Sequence, residues 1–233
     1  MKAVRYIVLD IETKYLDKKQ LKSISKEIED RSKKLLTFAP HITPEQADMR
    51  VQLLSPYYSE LLSVTYLMLD EEYEPLYPKK YKFCNDYDNE QEFINRLLVE
   101  FVDFEERYTV TYVGFNIINF DAYYLFSKAM LNKIPSSQTR LGLFNFQRYR
   151  THPVFDISQW LANWQASNLI SLQAATRSFG IKTPTKDIMK DKQDNFLLQS
   201  LYDNGNYNTI QKYSEEDVEV TAKLFQKIAP YYL

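Results

Sequence analysis

The sequence predicts an α/β protein: a mixed five-stranded sheet flanked by helices, with a helical insertion after the first strand. Five short runs rich in Val, Ile, Leu, Tyr and Phe have the length and composition of buried strands, at 6–13, 62–69, 76–83, 108–115 and 154–157. Stretches with apolar residues at helical spacing separate several of these runs, which favours a mixed sheet. With 233 residues, the chain is long enough to form one domain, 1–233, around a sizeable core.

Residues 17–55 form the predicted helical insertion. In a first helix, over about 16–36, apolar residues recur at helical spacing among Lys and Glu, at Leu21, Ile24, Ile28 and Leu35. The sequence Thr43-Pro44-Glu45-Gln46 then supplies an N-cap, a proline at the first helical position and a capping-box glutamine, which predicts a second helix up to about residue 54. The hairpin either covers the sheet in contact with solvent, clamps a substrate or docks a partner.

The remaining elements follow in chain order. The strands 62–69 and 76–83 form a predicted hairpin around an acidic turn at 70–74. Helices are expected around Phe93, Leu97 and Phe101, from Asp121 to about residue 131, after the fifth strand with Trp160 and Trp164, from the capping Ser171 to Gly180, and over about 209–229. A charged connection is predicted at 182–192.

Composition excludes several classes of protein. The 29 basic and 31 acidic side chains give a net charge of −2, which argues against broad electrostatic binding to duplex DNA. Cys84 is the only cysteine and there are two histidines, so neither a disulfide nor a zinc cluster is expected. Neither a signal peptide nor a run of roughly 20 apolar residues is found, so we expect a cytoplasmic protein without membrane contact.

Two carboxylates end the first apolar run. Residues i and i+2 of a strand point to the same side of the sheet, so Asp10 and Glu12 are expected to face one point. Two like charges at that spacing repel each other, and a divalent cation would neutralise them. The alternative is a strand that simply runs out into a polar loop.

The last predicted helix carries a third acid. Asp217 falls on its apolar face, where a carboxylate is costly without a partner, and Tyr213 precedes it by one helical turn. A fourth acid, Asp121, stands at the start of the helix after the fourth strand. Acids at the ends or on the buried faces of core elements make a functional site the better interpretation.

The chain resembles the DEDD superfamily of 3′-5′ exonucleases, in its tyrosine subclass. Three motifs carry the resemblance: Asp10-Ile11-Glu12, the run from Asn116 to Phe120-Asp121, and the run from Tyr213 to Asp217. The second motif is most similar to that of the exonuclease domain of family B DNA polymerases, and the whole pattern to their predicted stand-alone relatives. This resemblance implies a ribonuclease H-like fold and two divalent cations, Mg²⁺ or Mn²⁺, held by the four acids.

The resemblance also implies roles for individual residues. Asp10 would bridge the metals, with Glu12, Asp121 and Asp217 completing their ligands, and Tyr213 would orient the attacking water. Substrate contacts are expected from Thr13, Asn116, Phe120 and Lys186, although Phe120 also fits ordinary packing and the sequence 189–191 departs from the family pattern. Asp156 either touches the metal site or caps the following helix, and capping is the expected role.

The function implied is metal-dependent hydrolysis of single-stranded DNA from its 3′ end. An exoribonuclease shares the same catalytic residues and is the related alternative. A catalytically inactive nucleic-acid-binding module would keep the same fold, and an accessory subunit would use the insertion to recruit a replication or repair protein. The four acids and the tyrosine are all present, which argues against the inactive module.

Overall fold

A computed structural model describes residues 3–16, 18–182 and 194–231. Its strands are β1 (Tyr6–Tyr15), β2 (Ser59–Leu69), β3 (Pro75–Phe83), β4 (Thr111–Gly114) and β5 (Val154–Asp156). They form one sheet in the order β3-β2-β1-β4-β5. β1 pairs antiparallel with β2 and parallel with β4, β2 pairs antiparallel with β3, and β4 pairs parallel with β5. The predicted mixed five-stranded sheet is therefore confirmed.

Helices flank this sheet. In the described part of the chain they are α1 (Lys18–Phe38), α2 (Pro44–Leu53), α3 (Glu90–Arg107), α4 (Asp121–Leu131), α5 (Ile157–Leu161), α6 (Leu172–Ser178), α7 (Asp194–Asp203) and α8 (Tyr207–Ile228). Successive side chains of β1 point to opposite faces of the sheet, and their contacts show which helices lie on each face. Ile7 and Leu9 belong to a buried cluster with residues of α3 and α4, whereas Tyr6 and Val8 pack with residues of α8.

The helical insertion lies between β1 and β2. The predicted capping box is present at the start of α2. The backbone N–H of Gln46 donates to Thr43 Oγ1 at 3.2 Å, and Gln46 Oε1 accepts the backbone N–H of Thr43 at 2.9 Å. The Thr13 hydroxyl donates to the Leu53 carbonyl at 2.7 Å and joins the end of α2 to β1. The assignment of the whole chain to one domain stays a prediction.

Several elements differ from the sequence prediction, and β2 begins three residues early, at Ser59. β1 continues to Tyr15 because β2 pairs with it along its whole length. β4 begins only at Thr111, since α3 runs to Arg107. Trp164 is not helical: α5 ends at Leu161, and Trp164 has a φ of 59°. The sequence analysis also missed α7, and most of the predicted charged connection, at 183–192, lies outside the described residues.

Candidate active site

Three acids from two elements converge on one face of the sheet. Asp10 and Glu12 follow Tyr6 and Val8 on the face of β1 that packs against α8, which brings Asp217 to them. Each of the three carboxylates offers an oxygen within 4.8 Å of the others. Asp217 is 9% exposed, and the two strand acids are half-buried. The alternative in which Asp10 and Glu12 merely end a strand is wrong, because β1 continues past them to Tyr15.

The fourth acid occupies a different position. Asp121 is the first residue of α4, and its Oδ1 accepts the Ile11 backbone N–H at 2.9 Å. β4 pairs with β1 only as far as Val8. Beyond that point the Asp121 carboxylate accepts a backbone N–H of β1 that a neighbouring strand would otherwise accept. Asp121 is therefore fixed next to the two strand acids without belonging to their cluster.

The environment of Asp121 disfavours its ionised form. The side chain is 3% exposed, and this burial raises the pKa of the carboxyl to about 7, with a further contribution from the nearby Asp156 and an opposing one from the Ile11 N–H. A cation close to Asp121 would lower that pKa again by stabilising the carboxylate.

Asp156 organises the turn that leads to Asp121. Its carboxylate accepts the backbone N–H groups of Asn116 and Ile118, each at 3.1 Å. It also accepts the Gln159 N–H at 3.1 Å at the start of α5, so the predicted capping role is confirmed. The hydrogen bonds from the turn to Asp156 were not predicted, because Asn116 and Asp156 are 40 residues apart in the sequence. The only sequence feature that pointed to them was an acid at the end of a buried strand.

Gly114 allows the turn to approach β1. A Cβ atom at this position would lie 2.7 Å from Ile117 Cβ and 3.1 Å from the Leu9 carbonyl oxygen. Any side chain here would separate β4 from the turn or from β1. The glycine thus sets the distance between the strand acids and the turn that carries Asp121.

Tyr213 lies in a buried pocket one turn before Asp217. It is 5% exposed and packs against Leu62, Phe83, Leu198 and Ile210. The hydrophobic contacts hold the ring in place on the same helical face as Asp217. Its catalytic role stays a prediction.

The residues predicted to contact substrate have structural roles of their own. The Thr13 hydroxyl donates a hydrogen bond to the Leu53 carbonyl. Asn116 Oδ1 accepts from Asn119 Nδ2 at 2.9 Å, in a turn where Asn116 has a φ of 66°. Phe120 is half-buried, with its ring 5.9 Å from that of Tyr124. Lys186 lies outside the described residues. All four substrate contacts stay predictions.

The site offers the ligands that a hard divalent cation prefers. Its donors are carboxylate oxygens, which suit Mg²⁺ and Mn²⁺ better than metals that prefer sulfur or imidazole. Thr65 pairs with Asp10 across the sheet, and Ser214 lies one turn before Asp217. In the described part of the chain, both buried hydroxyls lack a hydrogen-bond partner. Buried polar groups normally have partners, so these two fit a site that gains ligands or water.

The fold and the acidic cluster are consistent with a family of predicted 3′-5′ exonucleases. A family described as "Predicted 3'-5' exonuclease related to the exonuclease domain of PolB" matches residues 57–231. This match spans well over half of the chain, which therefore belongs to that family. The strand acids Asp10 and Glu12 lie outside the matched residues, and the structure brings them to Asp217 inside it.

Solved structures share the fold. The family B DNA polymerase from the hyperthermophilic archaeon Pyrobaculum calidifontis has a TM-score of 0.61 and 13% identity, over 98% of this chain and 25% of that one. An ExoI/SSB-Ct complex and an apo exonuclease I each have a TM-score of 0.50 and 11% identity, over 99% of this chain and 42% of theirs. These similarities confirm the ribonuclease H-like fold.

The chain spans less than half the length of these solved structures. What they do as whole proteins is therefore not carried over here. No curated protein sequence matches the chain. None of the helices in the described residues is both long enough and apolar enough to cross a bilayer.

Proposed function

We propose that the chain hydrolyses single-stranded DNA from its 3′ end with the help of two divalent cations, Mg²⁺ or Mn²⁺. The observation that carries this proposal is the convergence of Asp10, Glu12 and Asp217 within 4.8 Å, next to the fixed carboxylate of Asp121. Membership of a 3′-5′ exonuclease family supports the direction of hydrolysis. The all-oxygen donor set supports the choice of cations.

The four acids would hold the cations. Asp10 would contact both ions, and Glu12, Asp121 and Asp217 would complete their ligands. When bound, such ions activate water and stabilise the charge that develops on the attacking and leaving oxygens of a phosphodiester. The burial of Asp121 and its bond from Ile11 keep the carboxylate in one position before any ion binds.

Neighbouring side chains would position the reactants. The Tyr213 hydroxyl would orient the attacking water, because the buried ring holds it on the face of α8 that carries Asp217. Phe120 is half-buried against Tyr124 and would pack on the terminal base, while Asn116 would hydrogen-bond to the same nucleotide. Thr13 and Lys186 complete the proposed substrate contacts.

DNA is the favoured substrate because the fold is shared with a protein named a DNA polymerase. An exoribonuclease would use the same acids, and contacts to the 2′-hydroxyl would separate the two activities. The structure of ExoI with SSB-Ct motivates a search for a replication or repair partner of this chain.

The test uses 5′-labelled DNA and RNA strands of one sequence with Mg²⁺ or Mn²⁺. We expect the DNA strand to shorten stepwise, a blunt duplex to be degraded more slowly because its end must fray, and a circular single strand to stay intact. Cuts within the circle would refute an exonuclease. Faster hydrolysis of RNA would establish the exoribonuclease, and tight binding of both strands without hydrolysis would favour an accessory subunit.

A further inference from the structure

A hollow separate from the acidic cluster lies beside the turn that leads to Asp121. Its volume is about 210 Å³, and Asn119, Arg148, Gln159, Trp164 and Leu169 are among the residues that line it. Pockets for drug-sized ligands typically measure roughly 300–1,000 Å³, so this hollow suits one planar group rather than a larger ligand. None of the proposed catalytic residues lines it.

Unusual backbone conformations present an aromatic ring at this hollow. After α5 ends, Asn163 and Trp164 have φ values of 49° and 59°, a region that bulky residues rarely adopt. The backbone N–H of Trp164 donates to the Gln159 carbonyl at 2.8 Å and fixes the main chain here, and the half-buried side chain lines the hollow. Strained residues persist where the surrounding structure fixes them, and they are concentrated at functional sites.

A second aromatic ring and a cation accompany Trp164. The ring of Tyr149, 73% exposed, lies 5.3 Å from that of Trp164 at an interplanar angle of 50°. Arg148 is exposed, and no carboxylate of the described residues lies within ion-pair distance of it. An aromatic ring beside an exposed guanidinium is a combination that single-stranded nucleic-acid sites use, through base stacking and phosphate contact.

The hollow is also close to the acids. Asn119 lines it and precedes Asp121 by two residues, so their Cα atoms are at most about 7.6 Å apart. Asp156 fixes both walls, since it accepts N–H groups from Ile118 on one side and Gln159 on the other. If the 3′ end of a nucleic-acid strand lies at the acids, this hollow is within reach of the nucleotides that precede that end.

We propose that this hollow is a subsite for a base upstream of the 3′-terminal nucleotide. The base stacks on Trp164, and Arg148 contacts the adjoining phosphate. This inference rests on the proposed function and adds to it a second point of contact with the strand. The subsite recognises the base plane rather than its edge, so it binds strands of any sequence.

A binding experiment uses the indole itself as the reporter. The chain has two tryptophans, so Trp160→Phe leaves Trp164 as the only one. With Ca²⁺ in place of Mg²⁺, we expect a dT oligonucleotide to quench the Trp164 emission, whereas thymidine 5′-monophosphate, which occupies only the terminal site, leaves it unchanged. Unchanged emission at saturating oligonucleotide, with binding verified by anisotropy of a labelled strand, would overturn the subsite.

A kinetic experiment separates the subsite from the catalytic site. In Trp164→Ala we expect KM for the oligonucleotide to rise about tenfold, because base stacking on an aromatic ring typically contributes that much or more. Hydrolysis of the p-nitrophenyl ester of thymidine 5′-phosphate, a one-nucleotide substrate, is expected to stay at the wild-type rate. Trp164→Phe keeps a ring and is expected to restore most of the affinity, while Arg148→Gln raises KM and weakens its dependence on salt.

The two possible failures are distinguishable. Wild-type protein that hydrolyses neither substrate would overturn the proposed function. Wild-type hydrolysis of both substrates, with an unchanged oligonucleotide KM in Trp164→Ala, would overturn the subsite alone. Equal losses on both substrates in that variant would also overturn it, since they would indicate damage to the catalytic site.

Discussion

At the scale of single residues, the substitution Tyr213→Phe distinguishes a catalytic role of this tyrosine from a packing role. Tyr213→Phe keeps the ring that packs against Phe83 and Ile210 and removes only the hydroxyl. If that hydroxyl orients water, single-turnover hydrolysis in Mn²⁺ falls about a hundredfold, while oligonucleotide binding in Ca²⁺ is unchanged. A rate within about threefold of wild type would make Tyr213 a packing residue.

Thr65 offers a second test at this scale. Its buried hydroxyl lies across the strand pair from Asp10 and has no hydrogen-bond partner in the described part of the chain. Replacing such a group by a methyl is nearly neutral for folding, so we expect Thr65→Val to leave the free energy of unfolding within about 0.5 kcal/mol of wild type. If the hydroxyl bonds to a ligand or a water of the ion once the ion is present, its loss weakens metal binding, and we expect Mn²⁺ affinity to fall roughly tenfold.

The matched control for Thr65 is Ser32→Ala. Ser32 is also buried with an unpartnered hydroxyl among the described residues, but it lies on α1 of the insertion. Titration calorimetry with Mn²⁺ is expected to give the wild-type affinity for this variant. Equal Mn²⁺ affinity in Thr65→Val and wild type would show that the hydroxyl does not contribute to the metal site.

Sequence reasoning identified the four acids and the convergence of three of them, but not the position of Asp121 relative to those three. The i, i+2 spacing and the apolar stripe of α8 predict that Asp10, Glu12 and Asp217 turn inward, and the structure brings these three together. Asp121 lies apart from their cluster because its carboxylate completes the hydrogen bonding of β1 beyond the end of β4. Such a bond depends on strand register, which local patterns do not specify.

At the scale of elements, Asp156 joins β5, α5 and the turn before α4. Asp156→Ala would leave the N–H groups of Asn116, Ile118 and Gln159 without this acceptor. The buried Ile118 N–H left unpaired typically costs about 1–3 kcal/mol and the two part-buried donors add less each, so we expect urea unfolding to show a loss of roughly 3 kcal/mol. Asp156→Asn keeps one carbonyl oxygen and is expected to lose less.

The control for Asp156 is Asp103→Ala, which removes an exposed acid of α3 and is expected to change stability by less than about 0.5 kcal/mol. Stability of Asp156→Ala equal to that of the control would show that the turn does not depend on this carboxylate.

Elements with strong local signals were predicted well. The capping box fixed the start of α2, and the long apolar stripes located α3 and α8. The errors fall where tertiary contacts decide. Trp164 follows a helix of only five residues and is held in place by the Gln159 carbonyl, and α7 contacts β1 through Gln199, whose side chain accepts the Tyr15 N–H at 2.8 Å.

At the scale of the whole molecule, the sheet brings together groups that are distant in the sequence. Asp10 and Asp217 belong to opposite ends of the chain and meet because β1 lies at the centre of the sheet and α8 packs across it. The resemblance in three short motifs anticipated this arrangement, and the order of the strands explains it.

The most direct test of the proposed metal-dependent nuclease activity measures hydrolysis of a 5′-labelled DNA strand in Mn²⁺. It compares wild type with Asp10→Ala, Asp217→Ala and the control Asp103→Ala, and circular dichroism verifies that each variant is folded. Residues that only orient a metal ligand typically cost roughly 10–100-fold when changed, so loss of a ligand itself is expected to exceed about a hundredfold. We predict that loss for Asp10→Ala and Asp217→Ala, with wild-type rates for Asp103→Ala. Folded Asp10→Ala protein that hydrolyses the strand at a near wild-type rate would contradict a metal-dependent nuclease.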